Sequence, residues 1–143
     1  MSNKADKIAA KLAELGQGAT APPGMHPCYA GYFTCFNQGH YYEAHDVLEH
    51  LWLPQRGGPN DLFYKGLIQL AGAFVHLQKN RLGPAAALFK LARKNLRNFP
   101  PAHERLDTLA ALALIEAWLA RLEQGGGNPL TPESRPALEL RQE

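Results

Sequence analysis

Residues 36–52 read FNQGHYYEAHDVLEHLW, and the interpretation of the whole chain starts from this stretch. Ionisable residues crowd its second half: Glu43, His45, Asp46, Glu49 and His50. Apolar residues alternate with them at helical spacing: Ala44, Val47, Leu48 and Leu51. The pattern predicts a helix over residues 41–53 that buries one face and carries carboxylates and imidazoles on both flanks of that face.

Residues 60–79 predict the fourth helix of the chain (α4), which is apolar on nearly every side. Such a helix belongs at the centre of a bundle. The exceptions to its apolar character are Lys65, Gln69, Gly72 and His76, and their spacing places them on one narrow stripe, here called the α4 stripe. Residues 54–60 are a short connection, so this helix and the preceding one should be antiparallel neighbours.

Further helices are predicted on both sides of this pair. Residues 4–15 have one apolar face, and Pro27 and Gly39 suit the start and end of a second helix. Pro84 should open a fifth helix to residue 98, and Asp107 or Thr108 should cap a sixth to residue 123. The expected fold is a single, compact all-α bundle of five to six antiparallel helices around the apolar one.

The expected domain organisation has three parts. Residues 1–24 form an N-terminal helix and a Pro/Gly-rich linker, and residues 25–124 form the helical domain. Residues 125–143 form a Pro-rich tail that runs extended or is partly disordered.

One weak internal repeat supports helical hairpins. The pattern Phe36-x-x-Gly39-x-Tyr41-x-x-Ala44-x-x-x-Leu48 recurs as Leu77-x-x-Asn80-x-Leu82-x-x-Ala85-x-x-x-Phe89. Each copy ends one helix, turns and begins the next, as at the junctions of tetratricopeptide repeats. We therefore expect tetratricopeptide-like helical hairpins.

Composition excludes several classes of partner. A net charge of +2 implies no long-range attraction to nucleic acid, so no nucleic-acid partner is expected. The longest apolar stretch is too short and too polar to span a bilayer, and the N-terminus lacks an apolar leader, so the sequence indicates a cytoplasmic protein. A homo-oligomer is left open. Cys28 and Cys35 fit buried, reduced thiols better than a disulfide or a zinc site.

The polar residues of the two helices are the candidate site. His45 and Glu49 are four residues apart, so both could reach one divalent metal ion or hydrogen-bond to each other. The stretch matches no established zinc or di-iron spacing. The α4 stripe needs partners when it is buried, and the carboxylates of the preceding helix are the natural ones. The cluster is either a network that fixes helix register or a pocket for a small polar ligand or a metal.

The same residues carry a resemblance to a known family. The motif residues are Phe36, Gly39, Tyr42–Glu49 without a gap, Trp52, Tyr64–Ala71 without a gap, and His76. Across about residues 29–122 the chain resembles the domain of unknown function 309 family. The resemblance implies a compact all-α bundle without an assigned activity. By motif position it also implies a characteristic polar set: Glu43, His45, Asp46, Glu49, Trp52, Gln69 and His76. Asp46 stands where the family carries Glu.

Two hypotheses of function follow. The first is a small-ligand or metal pocket between the third and fourth helices, at most hydrolase-like. In it Glu43 or Glu49 acts as the base, His45 and His76 hold a divalent metal or carry protons, and Asp46, Trp52, Lys65 and Gln69 contact the ligand. The second is a protein-interaction module, in which helical hairpins present a groove, partly covered by residues 4–15, and the polar network is purely structural.

Overall fold

The computed structural model describes residues 4–15 and 24–141 and confirms an all-α bundle. Its helices are α1 (Lys4–Leu15), α2 (Pro27–Asn37), α3 (Tyr41–Trp52), α4 (Asp61–Gln78), α5 (Leu82–Leu96) and α6 (Thr108–Gln124). A 3₁₀ turn, Leu53–Gln55, follows α3. Two short strands, β1 (Ala102–His103) and β2 (Leu106–Asp107), form an antiparallel hairpin between α5 and α6. The sequence did not predict this hairpin.

Helix α4 is the central helix, as predicted. It packs between α3 and α5, and most of its residues are buried. Phe74 shows this position most clearly, because its ring centroid lies 5.0 Å from that of Tyr41, 5.1 Å from that of Phe89 and 5.0 Å from that of Trp118. Rings from α3, α5 and α6 therefore converge on one side chain, which makes α4 the element that positions the others.

The internal repeat corresponds to two equivalent helix junctions. Gly39 and Asn80, at matching positions, both adopt left-handed backbone with φ of +82° and +57°. In both junctions the next residue donates its amide to a carbonyl five residues back: His40 to Cys35 at 2.9 Å and Arg81 to His76 at 2.8 Å. This is the hydrogen-bond pattern of a Schellman cap. The pairs α2–α3 and α4–α5 are thus two antiparallel hairpins, and each is connected by the same type of turn.

One predicted helix boundary is wrong. Helix α5 begins at Leu82 and ends at Leu96, whereas residues 84–98 were predicted. Pro84 lies in the first turn rather than opening the helix, because proline lacks an amide hydrogen that the first turn does not need. Asp107 caps α6 as predicted, since its carboxylate accepts a hydrogen bond from the Ala110 amide at 3.0 Å.

The C-terminal stretch, residues 125–141, packs on the bundle without forming a helix. Asn37 of α2 holds it in place: its Nδ2 donates to the Leu138 carbonyl and its Oδ1 accepts from the Leu138 amide, both at 2.8 Å. The Leu138 side chain is buried. The domain boundaries drawn at residues 24 and 124 stay predictions.

Among the described helices, none combines the length and the apolar character needed to cross a membrane.

Candidate functional site

Helix α3 has the two-flanked arrangement predicted from its sequence. Its buried face consists of Tyr41, Ala44, Val47, Leu48 and Leu51. On the flanks Glu43, His45, Asp46, Glu49 and Trp52 are half-buried, and His50 is exposed. The helix therefore holds its polar side chains at the edge of the core, where they can contact neighbouring helices.

The carboxylate of Asp61, the first residue of α4, ties the α3–α4 connection together. Asp61 Oδ1 accepts a hydrogen bond from Trp52 Nε1 at 2.7 Å, and Oδ2 accepts one from the Gly57 amide at 2.7 Å. The Arg56 guanidinium lies 5.8 Å from the Trp52 ring centroid. Trp52, which was predicted to contact a ligand, thus donates a hydrogen bond to the first residue of the next helix.

These two hydrogen bonds lower the pKa of the Asp61 carboxyl, the Gly57 amide having the larger effect and Trp52 the next. A depressed pKa in the folded state means stabilisation that is complete above the unfolded pKa of about 3.8 and is lost as the pH falls through the folded value. We therefore expect Asp61→Asn to be less stable than wild type at pH 7, with the difference shrinking below about pH 3.8. Urea unfolding at a series of pH values measures this difference, and a difference that persists unchanged at pH 2 to 3 would contradict it.

The α4 stripe does not face α3 along its whole length, which corrects the prediction. Gln69 Oε1 accepts a hydrogen bond from Asn95 Nδ2 of α5 at 2.7 Å, and Lys65 is exposed. His76 is half-buried, and its Nδ1 is buried without a hydrogen-bond partner in the described part of the chain. A central helix has neighbours on two sides, so its polar residues need not all face α3. The partner of Gln69 lies on α5.

On the other flank of α3, Glu43 faces α1. Its Oε2 lies 4.0 Å from Lys11 Nζ. His45 Nδ1 lies 3.2 Å from Asp46 Oδ1 of the same helix. The two predicted bases, Glu43 and Glu49, are both half-buried on α3.

Across residues 4–15 and 24–141, no group of three or more His, Cys, Asp or Glu side chains is placed to hold a metal ion. The roles proposed for individual residues stay predictions: metal binding by His45 and His76, ligand contacts by Asp46, Trp52, Lys65 and Gln69, and catalysis by Glu43 and Glu49.

The cysteines are free and buried, as expected. Burial raises the pKa of both the Cys28 and the Cys35 thiol to about 11, so both stay protonated near neutral pH. His26 is a helix cap, because its Nδ1 accepts a hydrogen bond from the Cys28 amide at 3.0 Å.

Helix α1 docks on a face of α2 and α3 that we call the α1 groove, formed around Gly31, Glu43 and Val47. Ile8 is 5% exposed there and belongs to the buried core. Leu12 lies so close to Gly31 that a Cβ at this glycine would be 2.8 Å from Leu12 Cδ2. A Cβ at position 31 would therefore require the end of the Leu12 side chain to shift.

The fit of α1 in this groove is incomplete. A cavity of about 230 Å³ remains between α1 and α3, lined by Lys7, Ile8, Lys11, Tyr42, Glu43, Asp46 and Val47. Tyr42 is 59% exposed although it lies beside this helix. This cavity is open to solvent, so α1 and α3 are not closely packed where it lies.

Together these contacts define an all-α bundle of two helical hairpins, with α6 packed on the second and the amphipathic α1 docked on the first. Residues 29–88 match the family described as Domain of unknown function (DUF309). The resemblance read from residues 36–76 is confirmed, while its extension from residue 88 to 122 stays a prediction. No curated protein and no solved structure matches the chain.

Proposed function

We propose that this protein is a helix-binding interaction module. The α2–α3 hairpin presents the α1 groove, which takes one amphipathic helix, and in the isolated chain its own α1 fills it. The observation that supports the proposal is the packing of Ile8 and Leu12 against the groove at Gly31 and Val47. Two apolar residues four apart on one helix, placed in a hydrophobic groove, are the usual anchors of helix-in-groove recognition.

The chemistry of the rim indicates what the partner helix carries. Glu43 and Asp46 on α3 line one side of the cavity, and Lys7 and Lys11 of α1 lie opposite them. A partner would therefore present apolar residues at i and i+4 and lysine or arginine beside them. Charge complementarity of this kind mainly sets specificity and the rate of association.

The incomplete fit supports exchange of α1 for a partner. Within the described residues, Ile8 is the sole contribution of α1 to the buried core. Burying one isoleucine contributes about 1.5–3 kcal/mol, which a better-matched helix can exceed. Residues 16–23 link α1 to the bundle. A short tether gives its own helix an effective concentration on the order of mM, so the groove stays filled until a tighter partner competes.

The polar residues of the central helices have a structural role in this proposal. The Trp52–Asp61 bond connects α3 to α4, and the Gln69–Asn95 bond connects α4 to α5. Half-buried hydrogen bonds of this kind are satisfied only at one relative position of the two helices. They would set the register of the hairpins that form the groove.

The test is binding of a fluorescent peptide with the sequence of Lys4–Leu15, measured by anisotropy on full-length protein. In the variant Ile8→Asp the resident helix is released, because a carboxylate replaces its buried anchor. We expect this variant to bind the peptide at least about tenfold more tightly than wild type, whose tethered α1 competes.

Two further variants make this test specific. Ala9→Asp puts the same charge on the exposed side of α1 and should bind the peptide as weakly as wild type. Adding Gly31→Ala to Ile8→Asp places a methyl group against the end of the Leu12 side chain, so the gain in binding should be reduced. Equal peptide binding by wild type and Ile8→Asp, or undiminished binding with Gly31→Ala, would refute the proposal.

A further inference from the structure

A second, larger cavity lies at the opposite end of α3 from the Trp52–Asp61 contact. It has a volume of about 640 Å³ and lies between the α2–α3 turn, the C-terminal end of α4 and residues 128–135. Gln38, Tyr41, Gln78, Asn128, Leu130 and Arg135 are among the residues that line it. Cavities that hold small molecules usually measure about 300–1,000 Å³, so this one has room for a ligand.

Tyr41 brings a buried, unpartnered hydroxyl to this cavity. Its ring is 1% exposed and stacks on Phe74 at a centroid distance of 5.0 Å. Its hydroxyl oxygen is buried and has no hydrogen-bond partner within the part of the chain that the structure describes. A buried hydroxyl without a partner costs free energy, which a ligand acceptor would offset.

Arg135 supplies the one charged side chain among the described residues that line the cavity. Its Nη1 donates to the Gln38 carbonyl at 2.7 Å, which leaves other N–H groups of the guanidinium available. Burial raises the pKa of Tyr41 to about 12, and the positive charge of Arg135 opposes that rise. The guanidinium therefore acts electrostatically on the same hydroxyl that lacks a partner.

Gly39 makes room for this arginine. Its φ is +82°, and a Cβ at this position would lie 3.1 Å from Arg135 Cδ. Neighbouring polar groups are already used in the structure: Gln78 Nε2 donates to the Gly39 carbonyl at 3.0 Å, and Asn128 donates to the Leu77 carbonyl. Tyr41 and Arg135 thus both bring donors to the cavity that these hydrogen bonds do not use.

We propose that this cavity binds a small organic carboxylate with an apolar body. The carboxylate accepts hydrogen bonds from the Tyr41 hydroxyl and the Arg135 guanidinium, the pairing that arginine geometry favours. The apolar body lies against Leu77 and Leu130, which also line the cavity. This inference is independent of the helix-binding proposal, because neither α1 nor the α1 groove contributes to the cavity.

Binding of benzoate to the full-length protein tests the inference, with benzamide as the matched neutral molecule. Titrations followed by ¹H–¹⁵N NMR should show saturable shifts at amides of the α2–α3 turn and residues 128–135 with benzoate. Arg135→Gln should weaken benzoate binding by about tenfold or more, and Tyr41→Phe by about three- to tenfold, since each removes a hydrogen bond to a charged group.

Controls separate binding from folding. Arg141→Gln changes an arginine of the same tail that does not line the cavity, and it should bind benzoate as wild type does. Tyr41→Phe removes an unpartnered hydroxyl, so its melting temperature without ligand should not fall. Equal affinity for benzamide and benzoate, shifts that do not saturate, or unchanged affinity in Arg135→Gln would overturn the inference.

Discussion

Gly66→Val is expected to lower the free energy of unfolding by about 2–3 kcal/mol, the cost of overpacking a close-packed core. Gly66 lies where α4 and α5 cross, and a Cβ there would be 2.9 Å from Leu96 Cγ and 3.3 Å from Asn95 Cβ. Leu96 is fully buried, so it has no free space into which to move. Valine is also stiff at χ1, so it cannot turn both methyl groups away from α5.

The matched variant is Gly83→Val, at a helical glycine where an added Cβ meets no atom within 4 Å. Its stability should stay within about 1 kcal/mol of wild type, since only helix propensity changes. Urea unfolding followed by far-UV circular dichroism compares the two variants. If both were equally stable, the close crossing of α4 and α5 would not be the contact that limits side-chain size at position 66.

Much of this fold could be predicted because local periodicity carries it. The alternation in residues 41–53 and the apolar run in residues 60–79 define α3 and α4 to within a residue or two. The internal repeat also predicted matching junctions, since left-handed residues at a helix end are favoured by glycine and asparagine. Gly39 and Asn80 are such residues.

The hairpin of β1 and β2 left no such signal. Its turn residues, Glu104 and Arg105, have φ of +49° and +62°. Turns of this kind favour Asn-Gly or Asp-Gly, so Glu-Arg does not identify one in a sequence. The turn makes a long-range contact in the folded protein, because the Tyr29 hydroxyl donates a hydrogen bond to the Glu104 carbonyl at 2.7 Å. A local sequence pattern does not show such a contact.

The candidate site was harder to predict because helical periodicity gives the face of a residue and not its neighbour. The α4 stripe was identified correctly as a polar strip, but the partner of Gln69 is Asn95 on α5. Which of two neighbouring helices supplies a partner depends on how closely each one packs, and Gly66 brings α5 close. Tyr41 and Arg135, which line the same cavity, are far apart in the chain, and no local pattern indicates that they lie near each other.

In our proposal α1 is an exchangeable occupant of the groove, and the other helices form the bundle without it. If so, α1 should open by local unfolding while the rest of the bundle stays folded. Free energies of opening in native proteins range from nearly zero at loosely held elements to the global value at core helices. Helix α4 belongs to the second group, since it is buried on nearly every side.

Native-state hydrogen exchange on the full-length protein measures this most directly. We predict that amides of Lys4–Leu15 exchange at least about a thousandfold faster than the buried amides of Asp61–Gln78, and that low urea concentrations leave their rates unchanged. Urea independence is expected because releasing one helix exposes little surface. Exchange of α1 amides together with those of α4, at a common urea-dependent rate, would contradict the account.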